Sequence, residues 1–147
     1  MSNKYYDVRV LMHRAFIVFL TVFLISDVGR VYASRNLEII AQQGRSSQQD
    51  TIRAEAEKLE QEAFQLFQVK TAESLIAARK KNQEAMVLWR KLDDKKGQAF
   101  TLLGIGRISD LLGEKQEALQ YYNQALPLYR VLENKRAEAI TLNNIGG

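Results

Sequence analysis

The second half of this chain repeats itself with a period of 40 residues. Ala85, Leu88, Trp89, Arg90 and Leu92 fall, one period later, on Ala125, Leu128, Tyr129, Arg130 and Leu132. Ala99, Thr101, Leu102, Ile105 and Gly106 fall in the same way on Ala139, Thr141, Leu142, Ile145 and Gly146. A period of this length marks stacked supersecondary units, each too small to bury its own apolar face. The core must therefore run from unit to unit, and the product is an array that presents surface to other molecules.

The units are helical. From about Thr51 apolar residues recur at three- and four-residue steps, and no alternating pattern of the β type follows residue 50. Ala56, Leu59, Ala63, Leu66 and Phe67 place one face of a first helix to about Val69. A second, capped by Thr71 or Ser74, runs to about Leu92 with Ala78, Ala85, Trp89 and Leu92 inward, and Asn82 in the slot that Tyr122 fills one period on. Asp94 caps a third helix over about 95–112, which Gly113 stops, because glycine accepts the left-handed conformation beyond a helix end. A fourth spans about 114–131 with Ala118, Tyr122, Ala125, Tyr129 and Leu132 inward; Pro127 predicts a bend near Asn123–Pro127. Asn134 caps a fifth, to Gly147. Gly106, Ala118 and Ala125 are the small residues that let neighbouring helices approach. Ile140, Leu142 and Ile145 cannot all face inward on the fifth helix, so apolar surface at 139–145 is expected to stay open or to mediate self-association.

Residues 1–33 carry the pattern of a secretory signal. Lys4, Arg9 and Arg14 precede the apolar run Ala15–Ile25, and the small residues Val31 and Ala33 predict cleavage between Ala33 and Ser34. The alternative is an uncleaved anchor in the inner membrane, although the run is shorter than the roughly 20 residues a span requires. Export would place the product in the periplasm or outside the cell, with membrane contact only through this segment. Residues 34–50, polar and without periodicity, are expected to form a flexible linker. The formal net charge of +4 falls to +2 without residues 1–33 and is interleaved, unlike the concentrated basic face that nucleic acid requires.

The spacing Leu102-x-x-Ile105-Gly106-x-x-Ser109, then Ala118-x-x-x-Tyr122-x-x-Ala125, resembles the tetratricopeptide repeat, with Ser109 in place of the usual tyrosine. The period resembles that of a long-helix subclass rather than the usual one of about 34. This subclass includes kinesin light chains and bacterial arrays whose repeats open on the helix start found here as Thr141-Leu142-Asn143-Asn144-Ile145-Gly146. The resemblance covers about residues 53–147. It implies an all-α helix-turn-helix solenoid of five helices, about two and a half repeats, after an N-terminal signal segment. Residues 51–92 form the first repeat, 94–132 the second, and 134–147 open a third.

The resemblance also implies a concave face, lined by the first helix of each repeat, that holds an extended peptide or protein segment. By that analogy Leu103, Arg107, Asp110 and Asn143 point into the groove, with Asn144 at its flank. Bacterial arrays of this kind often precede a caspase-like CHAT protease domain. A second reading of the chain is thus a truncated remnant of such a protein, with no activity of its own.

No chemistry competes with a binding role. The chain has no cysteine and one histidine, His13, which excludes thiolate or multi-histidine metal sites and a His/Cys dyad. Gly104-x-Gly106 precedes no strand-to-helix turn and reads as helix packing rather than a phosphate loop. Asp93-Asp94 reads as a solvated loop followed by an N-cap rather than a catalytic pair. The expectation is a non-catalytic scaffold without a cofactor.

Overall fold

The computed structural model describes the backbone of residues 4–147, and the side chains of Met12 and of residues 29–147. Five helices follow one another: α1 (Lys4–Val69), α2 (Ala72–Lys91), α3 (Lys95–Leu111), α4 (Lys115–Val131) and α5 (Lys135–Gly146). No strand occurs among the described residues. The chain divides into two compact units, Met1–Ser46 and Ser47–Gly147.

The first unit is helical from Lys4, and each of its described side chains is exposed. The apolar run expected to form the centre of a signal lies outside the described side chains. Among the described residues no helix is long and apolar enough to cross a membrane. Residues 34–50, expected as a flexible linker, are α-helical throughout. Their composition explains this: glutamine, arginine, glutamate and alanine are good helix formers, and no proline interrupts them. The hydroxyls of Ser34, Ser46 and Thr51 donate back to the carbonyls of Val31, Gln43 and Ser47 at 2.9–3.0 Å, so polar side chains that elsewhere compete with a helix join it instead.

The second unit is the repeat array. One turn builds it three times. Leu92, Leu112 and Leu132 end α2, α3 and α4 in right-handed geometry. The next residue is left-handed in each case: Asp93 (φ 50°), Gly113 (φ 81°) and Glu133 (φ 53°). The two backbone N–H groups that follow each Leu turn back onto the last turn of the helix. Asp93 donates to Arg90 and Asp94 to Trp89; Gly113 to Asp110 and Glu114 to Ser109; Glu133 to Arg130 and Asn134 to Tyr129. This is the paired closure that satisfies the orphan carbonyls of a helix end. The residue after the turn then starts the next helix: Asp94 accepts from the Gly97 N–H at 2.9 Å and Asn134 from the Ala137 N–H at 3.1 Å. Glu114 makes no such bond. Thr71 caps α2 with Ser74 in a reciprocal capping box.

The buried positions follow the expected faces. Ala56, Leu59 and Ala63 of α1, Ala78, Ala85 and Trp89 of α2, and Ala118, Tyr122, Ala125 and Tyr129 of α4 are all buried. Leu132, expected inward, is instead partly exposed beside the third turn. Helix α4 continues through Pro127. Small residues decide the close approaches. A Cβ at Gly106 would stand 2.5 Å from the Tyr122 ring, and one at Gly97 would stand 2.3 Å from the Trp89 ring. Trp89 of α2 and Tyr122 of α4 thus each rest against a glycine of α3. Burial pushes the phenols of Tyr122 and Tyr129 up to about 12. Thr101 and Thr141, one period apart, are both buried and return their hydroxyls to the carbonyls four residues earlier, Gly97 and Ala137.

Candidate functional site

Within the array, α1, α3 and α5 line a common groove. Its widest part is a cavity of about 610 Å³ bordered by Arg53, Glu57 and Glu60 of α1, Lys96, Phe100, Leu103 and Arg107 of α3, and Arg136 and Ile140 of α5. It continues into a smaller hollow of about 180 Å³, where Phe64 and Phe67 of α1 meet Phe100, Leu103 and Arg107. The walls are aromatic and open to solvent: Phe64 is 62% exposed and Phe100 59%. These rings sit on helices whose opposite faces are fixed by Ala56, Leu59, Ala99 and Leu102, all buried. The core face thereby aims the groove face.

The floor is polar and satisfied. Glu60 accepts from the Trp89 indole N–H at 2.9 Å and from the Thr101 hydroxyl, tying α1, α2 and α3 together. Burial raises the Glu60 carboxyl above its ordinary range, and the hydrogen bonds from Thr101 and Trp89 oppose that rise. At the rim Arg53 lies 5.5 Å from the Trp89 ring centroid and pairs with Asp94, whose bond raises the Arg53 pKa. Arg107 lies 5.3 Å from the centroid of Phe67. Among the described residues no carboxylate forms an ion pair with Arg107, Lys96 or Arg136. The groove therefore combines exposed rings with cations free to meet an acidic group.

Of the five groove residues expected from sequence, Leu103 and Arg107 lie in this groove. Asp110, Asn143 and Asn144 do not; they line a separate cavity of about 420 Å³ with Lys115, Leu119, Tyr122 and the end of α5. Asp110 pairs there with Lys115 at 2.7 Å, and the Asn144 side-chain N–H₂ is buried without a partner. The helix runs through Ala33 and Ser34, both exposed. Asp94 serves as N-cap and ion-pair partner, while Asp93 occupies the turn and pairs with Lys95 at 2.6 Å. Sequence reasoning did not place Phe64, Phe100 or Arg136 here, and gave Ile140 only as part of the open apolar surface at 139–145. Phe100 and Ile140 stand one period apart on the same helix face, and that repeat of an exposed apolar residue was the available signal.

Residues 70–131 match the tetratricopeptide repeat family. The match spans α2, α3 and α4, where the glycine–aromatic contacts and the repeated turn are built. Residues 70–131 are tetratricopeptide repeats. These repeats make the chain a protein-interaction scaffold of a generally non-catalytic family. Burial on the same helix faces continues beyond the matched stretch, at Ala56, Leu59 and Ala63 on one side and Thr141 on the other. No curated protein and no solved structure matches the chain.

Proposed function

We propose that the chain is an exported, non-catalytic scaffold that holds an extended segment of a partner protein along the groove of α1, α3 and α5. The observation that carries this reading is the exposure of Phe64 and Phe100 along a groove that also holds Arg107, Lys96 and Arg136, none of which is ion-paired among the described residues. Solvated rings of this size are unusual unless something covers them. Side chains that would cover them are apolar, and the neighbouring cations favour carboxylates between those anchors. Export is supported by the basic, apolar and small-residue pattern of residues 1–33. N-terminal sequencing of the mature product tests it: a start at Ser34 is expected, and a product retaining Met1 or Ser2 in the membrane fraction would contradict it.

A displayed library of random peptides tests the groove. Selection on the chain should enrich sequences with apolar anchors and nearby acids. Binding should weaken about tenfold or more in Phe100→Ala and in Arg107→Ala, as expected for anchor residues, and survive in Gln120→Ala on the exposed side of α4. Peptides insensitive to both groove substitutions would overturn the assignment.

A further inference from the structure

The hollow of about 180 Å³ that continues the groove contains a polar side chain the fold does not use. Asn82 of α2 lines it and is 8% exposed. A Cβ at Gly104 would stand 3.2 Å from the Asn82 Nδ2, so the amide end reaches the stretch of α3 that also lines the hollow. Among the described residues that amide makes no hydrogen bond. Its charged neighbours in the hollow are engaged: Glu60 accepts from Trp89 and Thr101, and Arg107 lies over the Phe67 ring. A buried amide without a partner is costly, so each one in a native structure calls for a reason.

Phe64, Phe67, Phe100 and Leu103 form the apolar surround of that amide. A cavity of roughly 150 Å³ walled by such side chains takes up a benzene ring, so this hollow has room for one ring with a polar atom at its tip. The amide offers a donor at one end and an acceptor at the other. A phenol hydroxyl can serve either, whichever way the amide turns, whereas an indole N–H only donates and a phenyl ring does neither. The array itself uses this filling: Tyr122, one period after Asn82, sets a phenol ring in the corresponding slot and is 2% exposed. We infer that the hollow is a pocket for a tyrosine side chain of the bound segment, and that Asn82 selects tyrosine over phenylalanine there. This assignment rests on the reading of the groove as a peptide site and gives that site its specificity.

The probe is p-cresol, the tyrosine side chain as a free molecule. It is titrated into the isotopically labelled full-length chain beside toluene, the phenylalanine side chain. Saturable p-cresol binding that shifts the Asn82 side-chain amide resonances is expected, about fivefold or more tighter than toluene, the gain of one net hydrogen bond. Asn82→Leu, close in volume and apolar, should keep the fold and cut that preference to about twofold or less, because the hydrogen bond is gone. The comparison of the two probes on the unaltered chain needs no variant, so it decides even if that substitution unfolds the protein. No saturable binding of p-cresol, equal affinity for toluene, or a preference that Asn82→Leu leaves intact would overturn the assignment. A chain that ignores p-cresol yet binds displayed peptides in a manner sensitive to Phe100→Ala would keep the groove and remove this pocket.

Discussion

Single residues set how closely the helices of the array can lie. Gly106 and Gly146 occupy equivalent positions, yet one lies under an aromatic ring and the other faces open space. Gly106→Ala should therefore destabilise the chain by about 1–3 kcal/mol, the usual cost of overpacking. Gly146→Ala should change stability by less than about 0.5 kcal/mol, as surface substitutions do. Urea denaturation of the two variants side by side checks this. Tyr122 and Tyr129 offer a second test. Their pKa values, raised from 10.0 to about 12 by burial, mean that the folded state holds these phenolic protons more tightly than the unfolded state. Their contribution to stability is complete below pH 10 and is lost as pH rises towards about 12. Melting temperature should fall through that window, and it should fall less in a Tyr129→Phe chain; an identical fall in both would contradict the role assigned to this phenol.

At the scale of elements, one turn used three times with different residues predicts where stability can be gained. The left-handed position is glycine at 113 but Asp93 and Glu133 elsewhere. A left-handed residue with a Cβ costs roughly 1–2 kcal/mol, less for aspartate, which tolerates this region. Glu133→Gly should stabilise the array by up to about 1 kcal/mol and Asp93→Gly by less, while Asp94→Ala should cost about 1 kcal/mol through the lost N-cap. Thermal melts of the three variants check the order. These turns were readable in the sequence because period and capping chemistry agree at Asp94, Gly113 and Asn134. Helix 34–50 was not readable: apolar periodicity is the main signal for a helix, and a segment exposed on every side carries none. Two of the five candidate groove residues line the groove cavity. Leu103 and Arg107 lie mid-helix and line the cavity bordered by α1, α3 and α5. Asp110, Asn143 and Asn144 sit in the last turns of α3 and α5, where the first turn of α4 draws Asp110 to Lys115 and the asparagines line the same cavity as that pair. Phe64 and Phe100 fall outside the inward faces read from the sequence, where a single apolar residue carries no signal of its own.

For the whole molecule, the account joins the period to the groove. The period fixes which faces are buried, the buried faces orient α1, α3 and α5, and their remaining sides bring Phe64, Phe100, Leu103 and Arg107 together. The most direct measurement is a nuclear magnetic resonance titration of the isotopically labelled chain with a peptide selected for binding it. The account predicts that shift changes gather on Phe64, Phe67, Phe100, Leu103 and Arg107 and leave Val87, Gln120 and Val131, exposed on α2 and α4, unmoved. Changes centred on the exposed faces of α2 and α4, with the groove residues unmoved, would contradict it.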